Sequence, residues 1–257
     1  MLEVTAIPAF QDNYIWLIHG ASDRNHVAVV DPGDAAPVLS ALEAGGLQLA
    51  AVLVTHHHPD HTGGVAAIIS VHPVPVFGPG AERISVVEHR LGEGDQCQLH
   101  SLGLNFQVLD VPGHTSGHIA YVGHGAVFCG DTLFVAGCGR LFEGTPAEMT
   151  QSLRKLSALP AETRVYCAHE YTLANLRFAQ AVEPGNKELA AFTARAKSDR
   201  ARGIPTVPST IATERAINPF LRCTLPAIHA AAEARCGRPL AGEVEVFGTI
   251  RQWKDSF

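Results

Sequence analysis

Short apolar runs that end in polar or turn-forming residues punctuate the first two-thirds of the chain. Val27–Val30 and Ala50–Thr55 read as buried strands. Phe106–Leu109, Ile119–Val122 and Ala126–Cys129 read the same way, with Gly123-His124-Gly125 as a hairpin turn between the last two. Helix-forming composition fills Ala35–Ala44 and Thr62–Ser70. Thr145-Pro146-Ala147-Glu148 opens a further helix: Thr145 can cap it, Pro146 suits its first position, and Glu148 completes a capping box. Thr163–Ala168 is then a last strand. From Tyr171 onward the texture becomes helical, at 171–181, 186–202 and 225–236, with Pro- and Gly-containing breaks. A domain boundary is therefore expected near residue 170, dividing 1–170 from 171–257. Strands and helices in this order predict an α/β layered domain. The pattern alone leaves a doubly wound sheet and a sandwich of two sheets both open.

Composition narrows the class. At 257 residues, 46% hydrophobic and 17% charged, the chain can bury a substantial core. It has no apolar run near the roughly 18 residues of a membrane span, and its first residues lack the basic and apolar pattern of a secretory signal. The six cysteines form no CxxC pair and read as reduced thiols, so a cytoplasmic protein is expected. Charge is uneven. Residues 1–170 carry 7 Lys/Arg against 17 Asp/Glu, and residues 171–257 carry 12 against 8. An acidic first part suits a site that gathers cations, and a basic second part suits an anionic small molecule. Without a long basic run or basic–aromatic interleaving, nucleic acid is not an expected partner. A monomer is expected.

The densest chemistry is Thr55-His56-His57-His58-Pro59-Asp60-His61, where a strand gives way to a helix. His56 and His58 are two apart in extended chain and point the same way. Asp60 and His61 follow a proline-bearing turn and can address a neighbouring point. His114, Asp131 and His169 each sit just after a strand-like run, where functional groups concentrate. Five His and two Asp make an N/O donor set too large for one tetrahedral ion. It suits two divalent ions, and zinc, iron and manganese are all compatible with it. His57 should face away, and His118 is read as orienting the ligands or their turn. The remaining histidines, and Asp31, Asp34 and Asp110, carry no motif and are read as structural.

The T-H-x-H-x-D-H motif with its later His, Asp and His resembles the metallo-β-lactamase superfamily over residues 1–170. The resemblance implies an αββα sandwich with a small C-terminal helical domain. It implies His56, His58 and His114 on one metal, Asp60, His61 and His169 on the other, and Asp131 as the bridge. Further residues are similar to the glyoxalase II (hydroxyacylglutathione hydrolase) family. They are Phe10–Trp16, Gly137-Cys138-Gly139-Arg140, Phe142–Thr145, Cys167–Thr172 with Asn175-Leu176, Glu214, Asn218–Arg222 and Arg251-Gln252-Trp253-Lys254. By that resemblance Arg140, Phe142, Tyr171, Arg251 and Lys254 bind the glutathione part of a substrate. Phe142 stands where a tyrosine is expected, so it would pack without the hydroxyl's hydrogen bond.

The implied activity is hydrolysis of a glutathione thioester such as S-D-lactoylglutathione. Water held by two metals ionises near neutral pH, Asp60 would orient the resulting hydroxide, and a thiolate is a fair leaving group. No G-x-S-x-G nucleophile motif competes. A one-iron sulfur dioxygenase, a β-lactamase or nuclease, and a non-catalytic metal-binding module are the alternatives. The first two leave the basic helical end with its R-x-x-K unexplained, and a β-lactamase commonly places cysteine at the position of Asp131. The third expects a damaged ligand set or an added cofactor domain.

Overall fold

The computed structural model describes residues 2–257. The chain separates into two compact units, Met1–Asp110 with Thr115–Gly130, and Val111–His114 with Asp131–Phe257.

In the first unit, β1 (Val4–Ala9), β2 (Asn13–His19) and β3 (His26–Val30) form an antiparallel start to a sheet. Helix α1 (Ala35–Gly45) then returns the chain so that β4 (Gln48–Leu53) runs parallel to β3. Asp34 caps α1 by accepting the Ala36 amide, and Gly46 ends it in the left-handed conformation. The short helix α2 (Pro59–Thr62) and α3 (Val65–Val71) follow. Strands β5 (Val76–Pro79) and β6 (His89–Leu91) complete a sheet ordered β1-β2-β3-β4-β5-β6.

The apolar runs at β2–β4 are continuous rather than alternating because both faces of this sheet are covered. On one face Leu17, Val29, Val52 and Val54 pack with Val38 and Leu42 of α1 and Val65 and Ile68 of α3. Facing the other side is the antiparallel set β7 (Gln96–Leu99), β8 (Leu104–Asp110), β9 (Ile119–Gly123) and β10 (Ala126–Gly130). There the Tyr121 hydroxyl donates to the Val54 carbonyl at 2.9 Å. The predicted β9–β10 turn is present, with His124 and Gly125 at φ 52° and 72°, the left-handed pair that a tight hairpin needs.

In the second unit, β11 (Leu133–Phe134) and β12 (Gly137–Cys138) form a small hairpin ahead of α4 (Pro146–Ser157). The expected capping box of α4 is formed, Glu148 N donating to Thr145 Oγ1 at 3.2 Å and Thr145 N to Glu148 Oε2 at 2.7 Å. Strand β13 (Arg164–Cys167) and helices α5 (Thr172–Val182) and α6 (Lys187–Ala201) come next. Then follow β14 (Ser209–Thr210), α7 (Ile211–Ile217), α8 (Pro226–Cys236) and α9 (Glu243–Asp255). Leu176 and Ala179 of α5, Leu189 and Ala196 of α6 and Ile217 of α7 form one apolar cluster.

Within the second unit, helix α4 packs against α7 and α9, and β13 pairs with β14.

Candidate metal centre and substrate groups

Four of the seven expected ligands lie in the first unit. Thr55 follows the end of β4, beside the end of the parallel neighbour β3. Asp31, just past β3, has a left-handed backbone (φ 53°). It accepts the Thr55 amide and the Thr55 hydroxyl at 2.8 Å each. With its proton committed to Asp31, Thr55 Oγ1 is an acceptor for His56 Nδ1 at 3.1 Å. His56 therefore carries its proton on Nδ1 and presents a lone pair on Nε2. Asp31 Oδ2 also faces His61 Nδ1 at 3.0 Å, which places the His61 lone pair on Nε2. His56 Nε2 stands 3.1 Å from His58 Nδ1, and His61 Nε2 stands 3.5 Å from Asp60 Oδ2.

Asp60 is held from behind. Asn13 Nδ2 donates to its Oδ2 at 3.1 Å. A methyl group at Gly33 would overlap the Asp60 backbone, so the turn after β3 can approach only as glycine. His57 turns away, as its position between two ligands implies, and pairs with the buried Glu82 at 3.0 Å. Glu82 also accepts the Thr115 hydroxyl. His118 is buried, stacks on His56 at 4.5 Å and donates through Nδ1 to the Ile119 carbonyl.

The other three expected ligands lie in the second unit, all nearly buried. Asp131 is faced on both oxygens: His114 Nε2 lies 3.4 Å from Oδ2, and His169 Nε2 lies 3.4 Å from Oδ1. His114 Nδ1 donates to the Arg140 carbonyl at 2.9 Å, so its lone pair is on Nε2, toward Asp131.

These separations test the fit to metal. Two donors on a tetrahedral ion at 2.0–2.1 Å stand about 3.3 Å apart. The four donor pairs above, at 3.1–3.5 Å, match that edge. All seven expected residues occur in groups of His and Asp side chains able to hold a metal ion. The donor chemistry and its buried setting suit divalent transition metals.

The expected substrate groups differ in setting. Tyr171 stacks on His169 at 4.6 Å with 6° between the rings and is partly exposed. Phe142 is 62% exposed and meets His114 edge-on at 5.2 Å, in line with an apolar packing role. The Arg140 side chain is exposed, its Nε 3.6 Å from Asp255 Oδ1. Arg251 is only 3% exposed and donates inward to the Cys138 carbonyl at 2.8 Å and to Asp255 at 3.0 Å. Lys254 donates to Asn175 Oδ1 at 2.6 Å, and burial holds its pKa down at about 8.

Asp31 carries no motif, yet it bonds Thr55 and faces His61. Its partners are 24 and 30 residues away, so only the parallel pairing of β3 with β4 makes it visible. Asn13 and Glu82 were likewise invisible to spacing.

The metallo-beta-lactamase superfamily model matches residues 10–84 and 78–169, and the model for the hydroxyacylglutathione hydrolase C-terminus matches residues 170–257. A hydroxyacylglutathione hydrolase of Alkalilimnicola ehrlichii is 59% identical over 99% of this chain and 99% of its own. One of Cupriavidus taiwanensis is 56% identical over 100% of both chains. The chain belongs to the hydroxyacylglutathione hydrolase family. It is therefore an enzyme of the glutathione thioester hydrolases within the metallo-β-lactamase superfamily, and the αββα fold is that superfamily's.

Solved structures carry the same fold. ETHE1 of Myxococcus xanthus aligns with a TM-score of 0.65 at 26% identity, covering 86% of this chain and 84% of that one. The BLEG-1 B3 metallo-beta-lactamase aligns at 0.61 and 22% identity, covering 86% and 99%. TTHA1623, solved in a di-iron-bound form, aligns at 0.59 and 26% identity, covering 85% and 100%. The chain's clusters of His and Asp able to bind metal are those expected of this superfamily.

Proposed function

We propose that the chain hydrolyses S-(2-hydroxyacyl)glutathione, with S-D-lactoylglutathione the principal substrate, to glutathione and a 2-hydroxy acid in methylglyoxal detoxification. The observation that carries this reading is Asp131 faced by one imidazole on each oxygen, in a chain alike end to end with glutathione thioester hydrolases. His56, His58 and His114 would hold one ion and Asp60, His61 and His169 the other, with Asp131 as a ligand available to both. Zinc is the proposed metal. The di-iron form of TTHA1623 makes iron the first alternative.

Two ions bound there would supply a nucleophile at neutral pH and polarise the thioester carbonyl. The chain's own residues prepare that chemistry. Asp31, directly and through Thr55, fixes the tautomers of His61 and His56. The Arg140 carbonyl does the same for His114. Asn13 fixes Asp60, whose side chain is 40% exposed, so it can accept a hydrogen bond from the attacking water and orient it. Glutathione departs as a thiolate, whose ordinary pKa near about 8.5 spares the enzyme a strong general acid.

The tripeptide is proposed to lie against residues 171–257, which carry 12 Lys/Arg against 8 Asp/Glu, and against the loop before α4. Arg140 and Lys254 are its proposed charge partners, Tyr171 and Phe142 its packing surface, and Arg251 supports the same wall from inside. The protein is proposed to act in the cytoplasm. All six cysteines are free, and no helix among the described residues is long and apolar enough to cross a membrane.

The deciding experiment follows hydrolysis of S-D-lactoylglutathione while metal per chain is measured. Turnover that rises to a plateau near two ions per chain is expected. Full turnover with one ion, or none at two, would overturn the reading.

A further inference from the structure

A buried polar clamp in the second unit grips the β11–β12 hairpin, and the mechanism above leaves its Glu214 and Asn218 unused. Glu214, fully buried on α7, accepts the Ala136 amide through Oε2 at 2.9 Å. Asn218 Nδ2 donates to the same oxygen at 3.0 Å and to the carbonyls of Phe134 and Gly137 at 3.1 and 2.9 Å. Asn175 Nδ2 donates to the Val135 carbonyl at 2.9 Å and is itself held by Lys254. Arg251 closes the far end by donating to the Cys138 carbonyl. Side chains thus meet a backbone group of every residue from Phe134 to Cys138.

Three features argue for more than ordinary loop anchoring. Ala136 is held at φ 54°, a left-handed conformation unfavourable for a residue with a Cβ. Two β-turn residues do not require a buried carboxyl, and burying one without a cation is costly. Glu214 forms no ion pair among the described residues, and burial pushes its carboxyl up to about 7. Lastly, the hairpin leads to the reaction centre. The Phe134 ring lies edge-on to His169 at 5.9 Å and to Tyr171 at 5.2 Å, the pair that stack on each other.

We propose that Glu214 and Asn218 are positioning residues for the thioesterase reaction, fixing the Leu133–Cys138 hairpin and, through the Phe134 ring, the His169–Tyr171 pair. The proposal rests on the reading of His169 as a metal ligand and Tyr171 as a substrate contact. Neither clamp residue touches the substrate. Their effect is geometric: a displacement of a catalytic group by about 1 Å can cost a hundredfold in rate.

The test compares Glu214→Gln, Glu214→Leu and Phe134→Ala in the full chain. Each is assayed for kcat and KM on S-D-lactoylglutathione, metal per chain and circular dichroism. Gln keeps an acceptor for the Ala136 amide, so it should stay within about threefold of the parent, whereas Leu keeps the volume and loses the acceptor. Glu214→Leu and Phe134→Ala should stay folded and lose at least about tenfold in kcat. A folded Glu214→Leu within twofold of the parent would overturn the proposal, as would a Gln variant as impaired as the Leu one. Should Glu214→Leu fail to fold, Phe134→Ala decides: a tenfold loss of kcat with parental Gln activity supports the clamp, and parental kcat in Phe134→Ala rejects it. If the parent chain itself fails to hydrolyse the substrate, the proposed function falls. The clamp is then judged by metal per chain alone, which should drop in Phe134→Ala.

Discussion

Asp31 Oδ2 lies 3.0 Å from His61 Nδ1, and both residues are buried. The same carboxylate takes the amide and hydroxyl of Thr55, which in turn takes the Nδ1 proton of His56. One side chain on β3's exit therefore sets the orientation of two imidazoles after β4. A carboxylate behind a ligating histidine both fixes the ring and makes its free nitrogen a stronger donor.

Replacing Asp31 with alanine should accordingly weaken metal binding by about 10–100-fold. It should also lower stability, because two buried Thr55 donors lose a charged acceptor, at roughly 1.5–3 kcal/mol per bond. Chelator competition on the Asp31→Ala protein measures the first effect and thermal unfolding of metal-free protein the second. Metal held as tightly as in the parent would refute the role assigned to Asp31.

Asp131 and His57 provide an internal contrast. Asp131 meets an imidazole on each oxygen, whereas His57 is turned toward Glu82. Asp131→Ala should strip or loosen both ions and abolish turnover, and His57→Ala should leave metal content near the parent's. Elemental analysis of the two variants side by side settles it, since equal metal loss would mean that the facing of the motif has been misread.

Glu214 makes stability depend on pH. Burial raises its carboxyl to about 7 in the folded chain, from an ordinary value of 4.5. Native protein thus keeps a proton that unfolded protein has released between those values. Its contribution is fully present below about pH 4.5 and is lost as pH rises through about 7, a change of roughly 3 kcal/mol. Urea unfolding of the parent at pH 5 and pH 8 should show this decline, and Glu214→Gln should lack that part of it. Parallel declines in the two proteins would refute it.

How far the sequence carried the structure follows from the range of the interactions. His56, His58, Asp60 and His61 were legible because a single strand-to-helix turn holds them within six residues. His114, Asp131 and His169 were legible because each follows a strand-like run. Asp31 was not, because its meaning comes from the parallel neighbour of its strand. Strands β3, β4, β8, β9, β10 and β13 and helices α1, α3, α4, α5, α6 and α8 were also readable, whereas β1, β2 and α7 were not read from their pattern, and β11, β12 and β14 are two residues long and have no periodicity to read. Helix α9 was missed for a different reason: Glu243-Val244-Glu245-Val246-Phe247 alternates as a strand does, and only packing against α4 and α8 selects the helix. The family resemblance placed Arg251 among the substrate-binding groups, and α9 seats its guanidinium against the Cys138 carbonyl. A basic R-x-x-K motif gives no hint that its arginine faces inward.

Arg140 and Arg251 therefore should respond differently to the same truncation. Arg140 is exposed and loosely paired with Asp255, so its charge is available to a carboxylate of the tripeptide. Arg140→Ala should raise KM for S-D-lactoylglutathione by about tenfold, the cost of one charged contact. It should leave kcat and the unfolding temperature nearly unchanged, because the contact is remote from the reacting carbon and contributes uniform binding. Arg251 is buried, bonds the Cys138 carbonyl and lies over the Phe220 ring at 5.1 Å. Arg251→Ala leaves that carbonyl unpaired and a void beneath α9, so it should lower the unfolding temperature by several degrees, with loss of activity on every substrate. A simple thioester without the tripeptide separates the two: its hydrolysis should be insensitive to Arg140→Ala and sensitive to Arg251→Ala. If Arg251→Ala instead raises KM for the glutathione thioester alone and melts like the parent, its guanidinium turns outward in solution and binds the substrate directly.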